Sequence, residues 1–444
     1  MWPPSIPAVP RLLLSGAAVP GCLLEAPLAD AVPDREGLVR ADILLDGGRI
    51  AAIAASCPER AQPFPGVDTL DLDGNQVWPC FVDMHTHLDK GHIWPRAENL
   101  DGTFANALTA ASADRTQRWS AADIAPRMDF GLRCAYAHGT VAIRTHLDSI
   151  APQHRISWPV FAEMRERWRG RIELQAASIL LIDHLQGSAG DELADLLVQH
   201  RGALGAVVPQ SPLLAGQLDR VFALAADRGL DLDFHADETG DPDAAALRAI
   251  AEAKLRHGFA GTVVVGHCCS LAMQSPAEIE RTLDLVARAG LAIVSLPMCN
   301  LFLQDRTPQR TPRWRGVTLL HELRDRGVRV AVASDNCRDP FFGYGDHDML
   351  EVFREAVRIA QLDRPVGTWP AAVTGTPARV MALEGCGRIA VGGPADLVLF
   401  NARRHSELLS RPQSDRLVLR SGKALAAALP DYRELDHLMR GAPV

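Results

Sequence analysis

The sequence predicts an α/β protein, a (β/α)8 TIM barrel with a small composite β domain formed by the N- and C-terminal segments. Three observations lead there. Eight apolar, β-branched runs alternate with helical stretches over about 260 residues, the arithmetic of such a barrel. Short alternating runs bracket that region at both ends. Histidines and acids recur at the C-terminal ends of the apolar runs, where a barrel assembles its active site. The expected boundaries are 8–79 for the N-terminal part of the small domain, 80–385 for the barrel and 386–444 for the C-terminal part of the small domain.

Taken in order, ADILLDGGRIAAIAA (41–55) alternates around Asp46-Gly47-Gly48, a hairpin signal, and DTLDLDGNQVW continues as a short extended piece. The barrel runs follow. They are CFVDMHTH at 80, TVAIRTH at 140, IELQAASILL at 172, LGAVVP at 204, LDLDFHAD at 230, TVVVGH at 262, LAIVSL at 291 and VRVAVASDN at 328. Amphipathic stretches such as DRVFALAADRG and SPAEIERTLDLVARAG precede them. GGPADLVLFNA and RLVLRSGKALAA again read as short strands, free to pair with those at the N-terminus.

Composition narrows the function class. At 47 % apolar and 23 % charged residues, the chain has the balance of an ordinary globular protein. A net charge of −8, without a basic stripe interleaved with aromatics, argues against nucleic acid as a partner. The N-terminus has one apolar stretch but no basic segment before it, and no run approaches the roughly 18 apolar residues a membrane helix needs. Nine dispersed cysteines without metal-knuckle spacing point to free thiols in a reducing compartment. The expectation is a cytoplasmic protein with no membrane partner.

FVDMHTHLDKGH (81–92) carries the chemistry. In a strand, alternate side chains share a face, so His85 and His87 point one way and Thr86 the other. A pair of satisfied core histidines is the plainer reading; a metal site is the sharper one. His85, His87, His235 and Asp335, all at strand ends, would supply three nitrogens and a carboxylate oxygen to one divalent ion, Fe(2+) or Zn(2+). Such an ion lowers the pKa of a water towards about 7, giving a nucleophile without serine or cysteine. Glu238 in HADETG, one step past a strand end, suits a general acid and base. His267, ending VVVGH, suits polarisation of the attacking water. His146 in RTHLD has Asp148 as its expected orienting partner and is not assigned to the metal.

With HTHLDK, RTHLD, HADE, VVVGH and ASDN in this order, the chain resembles the amidohydrolase superfamily, and within it the cytosine deaminase branch, over nearly its whole length. ASDNCRDPF is also similar to the triazine-ring hydrolases typified by N-isopropylammelide isopropyl amidohydrolase. The resemblance implies a hydrolase of carbon–nitrogen bonds other than peptide bonds, with catalytic Glu238, His267 and Asp335 and a mononuclear metal held by His85, His87, His235 and Asp335. Its expected substrate is a small amino-substituted nitrogen heterocycle that loses ammonia. A homo-oligomer is compatible with the resemblance.

Departures from the branch bear on the substrate. Asn336 stands where an aspartate usually follows the metal-binding aspartate, and Leu181 where a glutamine reads the ring amide, with Gln186 as the substitute to consider. An isobutyl group in place of an amide suits a larger or methylated ring. Lys90, His92 and Trp94 follow the first barrel strand and Phe341 the eighth, so Lys90, Trp94, Leu181, Asn336 and Phe341 are the expected substrate contacts, with Phe341 or Phe342 stacking on the ring. The first expectation is a cytosine-type deaminase. Its alternatives are a pterin or 5-methylcytosine deaminase, an aminotriazine hydrolase releasing an alkylamine, and, from another class, a non-catalytic metal-containing ligand-binding barrel.

Overall fold

Strand runs flanked by helices on a parallel sheet should be buried on both faces, and the central runs are. The computed structural model describes residues 2, 4–7, 9–56 and 64–440. Its barrel strands are β1 (Phe81–Thr86), β2 (Thr140–Asp148), β3 (Glu173–Ile179), β4 (Leu204–Val208), β5 (Leu232–Ala236), β6 (Val263–His267), β7 (Ala292–Ser295) and β8 (Arg329–Val332). Every residue of β1, β2, β5, β6 and β7 is buried.

Strands β4 to β8 form one parallel sheet in sequence order, and β1 to β3 a second. Parallel bridges Ala177–Ala203 and Leu181–Val207 join β3 to β4, and Thr86–Asp335 joins β1 to the segment after β8. These bridges close eight strands into the (β/α)8 barrel. Helices Ala121–Ala137, His154–Trp168, Ser188–His200, Leu214–Arg228, Ala246–His257 and Pro276–Ala289 alternate with the strands. The helix before β8 is short, Leu320–Asp325.

Packing divides the chain into two units: Met1–Asp83 with Ala135–Ala142 and Asp348–Leu429, and Met84–Cys134 with Ile143–His347 and Pro430–Val444. The first contains the composite β domain, made of two sheets. One orders Arg49–Ala55, Leu38–Asp46, Arg11–Pro20 and Asp68–Asp71; the other orders Lys423–Ala424, Leu417–Arg420, Leu397–Leu399 and Val77–Pro79. In the second sheet the two ends of the chain meet, with Trp78 opposite Val398. The Trp78 ring lies edge-on to Phe81, Phe353 and Phe400 at 5.4–6.3 Å, forming the core of this unit. Arg11–Pro20 is a ten-residue strand that the sequence reading leaves as an unassigned apolar stretch. Its register shifts between Leu14 and Ala17, so the alternation that marks a strand is interrupted.

In the second unit the loop after β1 is anchored by Arg127, which is fully buried. Its guanidinium donates to the carbonyl oxygens of Asp89 (2.7 Å) and Gly91 (2.8 Å) and to the Asp123 carboxylate. Asp123 also receives Arg96. Among the described residues no helix is long and apolar enough to cross a membrane, and Cys22, Cys80, Cys134, Cys268, Cys269, Cys299 and Cys337 are free thiols. Cys57 lies outside the described residues. Replacing Arg127 by leucine strands two carbonyls and weakens a buried ion pair. We expect a loss of about 3–5 kcal/mol, measured by urea denaturation followed by circular dichroism.

Candidate active site

β8 ends at Val332, three residues short of Asp335, so the strand does not carry the aspartate as the sequence suggests. The seam with β1 brings it back: the Thr86 hydroxyl donates to the Asp335 carbonyl oxygen at 2.7 Å, and the Asp335 N–H donates to the His85 carbonyl oxygen at 2.8 Å. Asp335 (φ 63°) and His267 (φ 69°) both have left-handed backbones, sparsely populated for residues with a side chain and concentrated at functional positions.

The histidines of β1, β2 and β5 converge. One nitrogen from each of His85, His87, His146 and His235 lies within 4.8 Å of the others, and the His85 ring is 4.0 Å from that of His146 and 4.5 Å from that of His235. Gly266 makes this possible, because a Cβ there would stand 2.9 Å from His85 Cε1. Asp335 Oδ1 lies 3.5 Å from His85 Nε2 and 3.1 Å from His87 Nε2. These approaches lack the alignment of hydrogen bonds, so both Asp335 oxygens, like both His235 ring nitrogens, are buried without a hydrogen-bond partner. Lone pairs facing one another in a buried site fit a shared divalent cation, and nitrogen with carboxylate oxygen is a donor set for zinc or iron.

Burial sets the charge of these groups. It holds the pKa of His87 and His235 well below the usual imidazole value and lowers that of His146 to about 4 and of His267 to about 3. For Asp335, burial acts upward but is outweighed by His85 and His87, which keep the carboxyl ionised. Neutral imidazoles beside a carboxylate are the protonation states that bind metal.

Glu238 faces the histidine that ends β6. Its Oε1 lies 3.3 Å from His267 Nδ1 and accepts from Asn300 Nδ2 at 3.1 Å. Burial, then the charge on Asp335, raises its pKa well above the ordinary carboxyl value. Asn300 Nδ2 also reaches His267 Nδ1 at 3.0 Å. With the amide so oriented, Nδ1 accepts and the ring proton sits on Nε2, which is buried without a hydrogen-bond partner. Gln304 Nε2 donates to the Glu238 carbonyl oxygen at 3.1 Å.

Asn300 and Gln304 escape sequence reading. Asn300 lies in the short helix Pro297–Leu303, inside the apolar run LPMCNLFL; an amide there, just past a strand end, is the signal that marks it. Asp237 belongs to the scaffold, its two oxygens accepting from the N–H groups of Ala246 and Leu247 at 2.8 Å.

His146 takes a different partner from the one expected. Its Nε2 lies 3.1 Å from Asp233, which also meets Arg144 at 3.2 Å, while Asp148 faces Lys90 and Arg115 at 3.6 Å. The buried Lys90 ammonium stands 5.2 Å over the Phe341 ring. Trp94, half-buried, donates its backbone N–H to the Arg338 carbonyl oxygen. Asn336 is buried and donates to Asp339 Oδ2 at 2.7 Å. Leu181 lies beyond β3 and is 45 % exposed. Gln186 is exposed and returns its amide to the Ile182 carbonyl oxygen. Phe342 packs against Phe302 and Tyr344, which leaves Phe341 as the less buried of the two phenylalanines.

A sequence model described as "Amidohydrolase family" matches residues 68–206 and 183–426. A pterin deaminase of Rhizobium rhizogenes is 54 % identical over 433 residues, spanning 97 % of this chain and 98 % of that protein. Among solved structures, 5-methylcytosine deaminase from Klebsiella pneumoniae superposes with a TM-score of 0.78 at 22 % identity, covering 95 % of this chain and 98 % of that one. N-isopropylammelide isopropylaminohydrolase from Burkholderia multivorans gives 0.72 at 27 % identity, covering 94 % and 98 %.

Losing one of the proposed ligands should show directly in metal content. His235→Ala is expected to weaken zinc binding beyond the roughly 10- to 100-fold typical of residues that only orient a ligand, measured by competition with a chromogenic chelator.

Proposed function

The chain belongs to the amidohydrolase family, and from that premise we propose that it is a metal-dependent hydrolase that deaminates a pterin. It is a hydrolytic deaminase of amino-substituted heterocycles, acting on a carbon–nitrogen bond outside peptides. The observation that carries the pterin assignment is the 54 % identity to a pterin deaminase over nearly the full length of both chains. A two-ring substrate also agrees with Leu181 standing where the cytosine branch carries an amide.

The proposed ligands of a single Fe(2+) or Zn(2+) are His85, His87, His235 and Asp335; when bound, the ion supplies the Lewis acidity that makes water nucleophilic at neutral pH. The remaining chemistry belongs to side chains. The reaction adds water across the amino-bearing ring carbon and expels ammonia, leaving a carbonyl. Loss of ring conjugation is the costly step, and protonating the ring nitrogen as water adds is what lowers the barrier. Glu238 takes the proton from the attacking water and delivers it to that nitrogen; its raised proton affinity, set by burial and the facing Asp335, suits the carrier. His267 presents its Nε2–H to the developing oxyanion, and Asn300 fixes the tautomer that makes this possible. Lys90 and Phe341 offer a cationic and a flat apolar contact to the heterocycle. The free thiols fit a reducing compartment such as the cytoplasm.

Ammonia release by metal-replete protein should be measured on pterin, cytosine, 5-methylcytosine, isocytosine and aminotriazines. Pterin is expected to lead in kcat/KM. Turnover of none of them refutes the deaminase reading, and alkylamine release from an N-alkyl triazine moves the assignment to the relative of 27 % identity. Glu238→Gln should retain metal and lose about 10²- to 10⁴-fold in kcat, which separates an enzyme from a ligand-binding barrel. Asn300→Ala should lower kcat by about 10- to 100-fold with metal content unchanged, read from steady-state kinetics and metal analysis.

A further inference from the structure

A second cluster of side chains of metal-ligating type lies outside the residues proposed for the first centre. His92, on the loop after β1, meets Cys337 and His347, on the segment after β8, with one donor atom of each within 4.8 Å of the others. All three are buried, at 2 %, 2 % and 3 % exposure. Both ring nitrogens of His92 are buried without a hydrogen-bond partner, and its ring centre is 5.7 Å from that of His347.

The surroundings are built for these residues. Phe130 packs edge-on against the His92 ring at 4.8 Å and joins Cys134 and Leu435 in an apolar cluster. Gly131 leaves room for His347: a Cβ there would lie 2.9 Å from its Nε2. His92 (φ 65°) and His347 (φ 54°) both hold left-handed backbones. That region is sparsely populated for residues with a side chain, although histidine is among those that enter it more often. A buried imidazole with neither nitrogen bonded calls for an explanation, and a coordinated ion is one.

We propose that His92, Cys337 and His347 form a second metal site for a thiophilic divalent ion such as zinc, distinct from the histidine–aspartate centre in having a sulfur donor. Three protein donors leave a fourth position for solvent. Asp346, next to His347 in sequence, receives the Tyr432 hydroxyl at 2.8 Å, while Arg338 and Arg127 contribute positive charge near His92. The two segments already touch through their backbones, with His92 N–H donating to the Cys337 carbonyl oxygen at 3.1 Å and Trp94 N–H to that of Arg338 at 2.8 Å. An ion there would clasp the segment carrying Lys90 and Trp94 to the one carrying Asn336 and Phe341.

Cobalt reconstitution of the full chain tests this without an activity assay, so it stands or falls apart from the deaminase reading. The expected result is a second equivalent of Co(2+) per chain and a sulfur-to-cobalt charge-transfer band in the near ultraviolet. The band should persist in Cys299→Ala, whose thiol lies near Asn336, and vanish in Cys337→Ser. Should Cys337→Ser fail to fold, His92→Gln must lose the second equivalent. A single equivalent at saturating cobalt with no sulfur band, or a band unchanged in Cys337→Ser, overturns the proposal.

Discussion

The site depends on keeping a packed group of imidazoles uncharged. His87, His146 and His235, buried beside one another, are held neutral because a proton on any of them would carry a desolvation cost of several kcal/mol. Their lone pairs therefore remain available. The same burial acts in the opposite sense on Glu238, where it favours the neutral carboxylic acid. One physical cause thus lowers the proton affinity of the imidazoles and raises that of Glu238, while His85 and His87 beside Asp335 hold that carboxyl ionised.

Around this centre the barrel arranges a ring of orienting groups. Asp233, itself paired with Arg144, faces His146 from one side; Asn300 and Gln304 hold His267 and Glu238 from the other. Asp237, next to Glu238 in sequence, is spent on capping a helix, which fixes the chain where the glutamate emerges. Neighbouring carboxylates therefore do different work because one meets backbone N–H groups and the other an amide and an imidazole.

The barrel and the histidines were legible because both rest on short-range periodicity: alternation puts His85 and His87 on one face, and apolar runs of fixed length end where polar residues begin. Features set by a bend or by a distant contact were not. Asp335, named from ASDN, is expected at a strand end but sits past the end of β8 and is returned by a seam; Arg11–Pro20 hides its alternation behind a bulge; Asn300 lies in an apolar helix; and Asp233, not the adjacent Asp148, partners His146. The His92, Cys337 and His347 group depends on folded loops and has no spacing a linear reading would detect. The pterin assignment came from a relative, since the chemistry of attack is common to all the rings considered.

The seam also dictates when a working centre can exist. Thr86 and Asp335 are 249 residues apart in the chain, and in the proposed ligand set the last donor comes from the segment after the final barrel strand. During synthesis, the N-terminal histidines leave the ribosome long before the aspartate that completes them, and closing so long a loop is among the slower events of folding. With the proposed ligand set, a truncated or stalled chain would hold the histidines without the carboxylate that completes them.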